Sequence, residues 1–225
     1  MKAGADWIKV MATGGNMTRH TNTFEVQYNV DELAGCVAEA HRLRVRVTAH
    51  AHGAAGIRVA VEAGVDMIEH CTFSIPRGIE FDEETADLMA TKGVIVSPTV
   101  SVGYRNWTDD GRKQQRANVI RGLLARGCPV IMSTDCGIPG VPHAALADGL
   151  QVMQELSGLS AVETLKLATS TSASILGLAD RGVLAPGKRA DILVADGDPT
   201  ADLAALGQVR YVLKAGEVLY RGPGR

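Results

Sequence analysis

Apolar positions along the chain gather into short runs, and four of these runs carry a residue type that binds metal or moves protons. They are Trp7-Ile8-Lys9-Val10-Met11-Ala12, Val45-Arg46-Val47-Thr48-Ala49-His50, Val65-Asp66-Met67-Ile68-Glu69-His70 and Val130-Ile131-Met132-Ser133-Thr134-Asp135. Their length and β-branched content predict strands near 7–12, 45–50, 65–70 and 129–134, with a fifth near 93–97. Between them the pattern turns helical. Asn29-Val30-Asp31-Glu32 reads as an N-cap with a capping box, opening a helix that runs to Leu43. Later helices, over 54–63, from Asp82, and over 112–126, stop at Gly64, Gly93 and Gly127, the expected C-cap chemistry. Strand–helix alternation without hairpins between residues 7 and 135 demands a parallel sheet with helices outside it.

Parallel strands that each deliver a Lys, His or Asp at the carboxyl end describe a metal site at the mouth of a β/α barrel. Lys9 lies inside its run, where a buried ammonium is costly unless it is paired, neutralised or used. Five strands fall short of the eight of a closed barrel, so the sheet is either open or one part of a barrel. An open doubly wound sheet binds phosphate at a glycine-rich first turn, and Thr13-Gly14-Gly15 is only a weak version of one.

Past Asp135 the chain offers a Gly/Pro loop over 137–142 and two helices, the second opening on a capping box, Ser160-Ala161-Val162-Glu163. Beyond Leu178 the pattern changes to short strands, and residues 210–220 read as a hairpin around a glycine turn. The domain reading is therefore residues 1–180 as one α/β unit and 181–225 as a small β segment.

Composition narrows the function classes. The 225 residues are 46% apolar with a net charge of −2, an ordinary globular balance without a nucleic-acid footprint. No stretch approaches ~18 uninterrupted apolar residues, so no membrane span is expected. The segment ahead of the first strand is too short for a signal peptide. Cys36, Cys71, Cys128 and Cys136 lack CxxC spacing, which fits free thiols in a reducing, cytoplasmic compartment, an upstream targeting segment aside. A small-molecule substrate and a homo-oligomer are the expected partners.

One ordered set of motifs resembles the amidohydrolase superfamily, in particular its prolidase-like and imidazolonepropionase-like branches. The set is Ile8-Lys9-Val10-Met11-Ala12-Thr13-Gly14-Gly15, Ala49-His50-Ala51-His52-Gly53, Ile68-Glu69-His70, Ser133-Thr134-Asp135-Cys136-Gly137, Ala168 to Ala173, and Gly182 to Val194. The resemblance implies an α/β fold: a partial TIM-type (β/α)8 barrel, strands four to eight, followed by a small β-sandwich segment. It implies that Lys9, as a carbamate, bridges two metals, that His50 and His70 are the strand-five and strand-six ligands, and that Asp135 binds metal and takes a proton from the attacking water. It also implies one or two zinc ions, with His52, His143 and Tyr104 as candidates for orienting substrate.

The resemblance further implies hydrolysis of amide-type C–N bonds, with a dipeptide or N-acyl amino acid as substrate. The lysine segment favours this over an imidazolonepropionase-like cyclic amide, whose site works with one metal and lacks that lysine. The superfamily opens its barrel with a strand-one His-x-His pair, and none precedes Lys9 here. The chain therefore looks like the C-terminal part of such an enzyme. The competing reading is a non-catalytic remnant or partner-dependent half-barrel, its strand edges open to pairing.

Overall fold

The computed structural model describes residues 4–223. It divides into two compact units, one holding residues up to Thr99 together with Trp107–Val130, the other Val100–Asn106 together with residues from Ile131 onward.

In the first unit the alternation read from the sequence is present. The order is β1 (Trp7–Met11), α1 (Val30–Arg42), β2 (Arg46–Gly53), α2 (Ala54–Glu62), β3 (Met67–Ile75), β4 (Gly78–Ile79), α3 (Glu83–Lys92), β5 (Ile95–Ser97) and α4 (Asp110–Ala125). β1, β2, β3 and β5 are parallel and pair in chain order. Among the described strands no order reversal marks the switch point that a doubly wound sheet has. β2 is buried along almost its whole length, as a strand covered on both faces must be.

Local chemistry sets the helix starts. Asn29 caps α1, with its side chain on the Glu32 amide and Glu32 returning to the Asn29 amide. Asp82 and Asp109 cap α3 and α4 in the same donor-satisfying way. Gly64, Gly93 and Gly127 all take positive φ after their helices.

The structure corrects three sequence expectations. Residues 129–134 form no strand; the only ladder contact there is a bridge between Val96 and Val130. Beyond it the Met132 amide is committed to Leu167 O and Ser172 Oγ, so it has no strand partner. A short hairpin does interrupt the parallel region, because β3 turns at Pro76-Arg77 into antiparallel β4. Three helices rather than two follow Asp135.

Those helices are α5 (Leu146–Ser157), α6 (Ala161–Ala168) and α7 (Ser170–Leu176), the last two parted at Thr169, whose φ of −128° and ψ of −100° are not helical. The capping box at Ser160 and Glu163 is as expected. The tail is β6 (Ile192–Ala195), β7 (Val209–Lys214) and β8 (Glu217–Arg221), one antiparallel sheet in the order β6-β7-β8. Among the described residues it is a single antiparallel layer.

α2 sits hard against the end of β1. A Cβ on Gly56 would fall 2.2 Å from Thr13 Cγ2, and Thr13 is fully buried. Gly56→Ala is therefore expected to destabilise the protein by about 1–3 kcal/mol, overpacking outweighing the gain in helix propensity. Urea unfolding checks this, and a stabilised variant would show that α2 can move off Thr13.

Candidate metal centre

The register of the parallel strands decides which side chains meet. Lys9 pairs with Thr48 and Met11 with His50 across β1 and β2, and His50 pairs with Glu69 across β2 and β3. Partners in register project to the same face, so Lys9, Thr48, His50 and Glu69 share one. Lys9 Nζ forms an ion pair with Glu69, whose second oxygen accepts from Thr48 Oγ1 at 3.1 Å. The Lys9 side chain is 44% exposed, so the buried ammonium suggested by its apolar run is not found. β1 lies at the edge of the described sheet, which leaves Lys9 both solvated and paired.

Three imidazoles converge beside this pair. His50 is buried, and its ring centroid lies 4.8 Å from that of His52 and 4.6 Å from that of His70. His52 and His70 stack at 4.3 Å. One nitrogen from each falls within 4.8 Å of the others. β2 extends through Gly53, so His50 and His52, two apart, project to one face as the sequence implies. His70 arrives differently. It is in register with Ala51, and a regular strand would send it to the face opposite His50. A φ of 66° at His70 and 48° at Cys71 breaks the alternation and brings the ring to the cluster.

Hydrogen bonds engage ring nitrogens of all three. His50 Nε2 lies 3.2 Å from the Gly14 carbonyl, which only accepts, so the proton is on Nε2 and Nδ1 keeps its lone pair. His52 Nε2 accepts from the Asn16 amide at 3.2 Å, which places its proton on Nδ1, 3.1 Å from Thr72 Oγ1. His70 Nδ1 lies 2.8 Å from Thr99 Oγ1, leaving Nε2 for the cluster.

Burial and neighbouring charge favour the neutral form of His52 and His70. Burial lowers the His52 pKa to about 4, helped by the neighbouring charges of His50 and Arg116. Burial drives His70 lower still, to about 2, followed by His52, His50, Lys9 and Arg116. A cluster of neutral imidazole nitrogens fits a borderline transition metal such as zinc. Cys71 is no ligand, because burial raises its thiol to about 12 and leaves it protonated.

Of the residues singled out in the sequence, His50, His52 and His70 meet in the first unit, with Lys9 on the adjoining strand. Asp135, His143 and Tyr104 belong to the second unit. Asp135 is exposed with a φ of 55°, His143 lies against Gly137, where an added Cβ would be 3.1 Å from its Nε2, and Tyr104 is half-buried in a 3-10 turn. The sequence reading missed Glu69, Asn16, Thr72, Thr99 and Arg116. Arg116 did leave a signal, a cation on the apolar stripe of Val119, Ile120 and Leu123.

The comparisons follow this geometry. The Amidohydrolase family matches residues 1–219. Ochratoxinase of Aspergillus niger is 32% identical over the full chain, which spans 48% of that protein. Imidazolonepropionase of Deinococcus deserti is 31% identical over 93% of the chain and 50% of its own length. A crystal structure of a Xaa-Pro dipeptidase with methionine in its active site superposes with a TM-score of 0.83 at 30% identity, covering 98% of this chain and 56% of that one. The chain thus spans about half the length of the curated relatives it matches.

Imidazoles held below their ordinary pKa make the metal-free protein sensitive to acid. Unfolded histidines take up protons near 6.5 while folded His52 does so only near 4 and His70 lower, so protons favour the unfolded state. Stability from these rings is full above pH 6.5 and is expected to fall as pH drops from 6.5 toward 4. Thermal melts across this window check it, and His70→Asn should flatten the slope. Equal slopes in parent and variant would show that His70 is already solvated.

Proposed function

The chain belongs to the amidohydrolase family, and on that premise we propose that it is a metal-dependent hydrolase of amide-type C–N bonds, acting on a dipeptide or N-acyl amino acid. The observation that carries the reading is the meeting of three imidazoles, with one ring nitrogen of each within 4.8 Å of the others. Zinc suits that donor set. His50 and His70 would hold it, and the motif resemblance assigns Lys9 and Asp135 as further ligands for one or two ions. Similarity to a Xaa-Pro dipeptidase, and to a putative prolidase from Bifidobacterium longum at 32% identity, supports a dipeptide substrate.

When bound, zinc polarises the scissile carbonyl and lowers the pKa of water. The chain's own residues supply the rest. Asp135 accepts a proton from the attacking water as the C–O bond forms, and returns it to the amine as the C–N bond breaks. His52, fixed by Thr72 and Asn16, orients the substrate. His143 and Tyr104 are assigned to substrate contact on the strength of the motif resemblance. Lys9 serves as a ligand only after carboxylation, which converts the cation paired with Glu69 into an anion.

A second reading is favoured by one observation. His52 lies as close to His70 as His50 does, so a three-imidazole site for a single ion is the alternative. Metal stoichiometry of His52→Asn separates the two.

A zinc-loaded chain completed with strands one to three is expected to cleave members of a panel of dipeptides, N-acyl amino acids and cyclic amides. Asp135→Asn should keep its metal and lose turnover by about 10²–10⁴-fold. His50→Asn and His70→Asn should lose the metal itself. Turnover that survives Asp135→Asn would assign the proton transfer to another group, and zinc binding that survives both histidine variants would remove the site.

A further inference from the structure

The parallel ladder between β3 and β5 ends abruptly at the site. Its last pairs are Met67 with Ile95, Ile68 with Val96 and Glu69 with Ser97. The next step would align His70 with Pro98, and proline has no N–H to donate. Arg116, fully buried on α4, takes over at that point. One terminal nitrogen donates to the carbonyls of both His70 and Pro98, at 2.9 and 2.8 Å, and the other donates to the Cys71 carbonyl at 2.9 Å.

Two of the three residues so held have unusual backbone, as does the residue after the third. His70, Cys71 and Thr99 have φ of 66°, 48° and 50°, in the left-handed region that L side chains rarely adopt. Pro98 leads directly into Thr99, and Thr99 Oγ1 is the partner of His70 Nδ1. The guanidinium therefore grips the peptide that carries the imidazole and the peptide that leads to its hydrogen-bond partner. A planar fork of donors suits carbonyls on two neighbouring chains, whereas a lysine ammonium supplies a single point.

We propose that Arg116 is the positioning residue of His70, a clamp across the ends of β3 and β5 that sets its left-handed backbone and holds Nδ1 on Thr99 Oγ1, which fixes one ring tautomer. The role in metal binding rests on the reading of the site given above, and the tautomer does not. The partners of a histidine's second nitrogen commonly set ligand affinity, and their loss costs about 10–100-fold.

Arg116→Lys keeps a cation on α4 and removes the fork. Val119→Ala, on the same buried helix face, serves as a matched destabiliser that leaves the carbonyls alone. Zinc affinity by chelator competition and the His70 ring by nitrogen-15 NMR in metal-free protein are the two readouts. Arg116→Lys is expected to bind zinc about 10–100-fold more weakly and to lose the single His70 tautomer, while Val119→Ala keeps both at the parent level. Parent-like affinity and tautomer in Arg116→Lys would overturn the assignment, as would an equal loss in Val119→Ala. Should Arg116→Lys fail to fold, Thr99→Val removes only the Nδ1 partner, and parent-like zinc affinity there overturns it too. If the parent itself binds no zinc, the metal reading fails, and the His70 tautomer in parent and variant still decides the role of Arg116.

Discussion

The site depends on a reversal of side-chain direction at His70. β2 and β3 are in parallel register, His50 with Glu69 and Ala51 with His70, so regular pleating would put the two histidines on opposite faces. Left-handed backbone at His70 and Cys71 undoes the alternation. Such a conformation costs about 1–2 kcal/mol per residue for an L side chain. It persists because the carbonyls it exposes are all taken by Arg116, and because Thr99 meets the ring that it delivers. Pro98 makes the device necessary, since the ladder cannot be continued by a residue without an amide hydrogen.

The same guanidinium has an electrostatic consequence. A buried cation beside histidines opposes their protonation, in the same direction as burial itself. The rings are thus kept as neutral nitrogen donors, the form that a metal requires. On the edge strand the balance is reversed, with Lys9 half-exposed and neutralised by Glu69. The two cations, Arg116 and Lys9, therefore play unlike parts: one is fixed and structural, the other is paired and accessible to chemistry.

The loop after β1 completes the frame. It folds back on the end of β1 through a Thr13–Val26 bridge and the Gln27 amide on Ala12 O. This places the Gly14 carbonyl on His50 and Asn16 on His52. The approach is close enough that a Cβ at Gly14 would lie 2.5 Å from Asn22 O, and one at Gly53 2.9 Å from Thr23 O. Glycine at both positions is a packing requirement.

The sequence by itself determined the strand–helix alternation, the capping boxes at Asn29 and Ser160, and the histidine pair of β2, because these follow from period, caps and spacing within a few residues. It also carried the family in its ordered motifs. It did not determine the fate of residues 129–134, whose strand-like composition yields to hydrogen bonds with Leu167 and Ser172 about 40 residues away. Nor did it determine that Lys9 is paired with Glu69 or by what backbone turn His70 joins His50. Both depend on inter-strand register and on a clamp from α4, and Arg116 lies 46 residues from the carbonyl it holds. Those contacts exist only after the sheet has formed. The sequence supplied the residues; the tertiary structure decided which way they face.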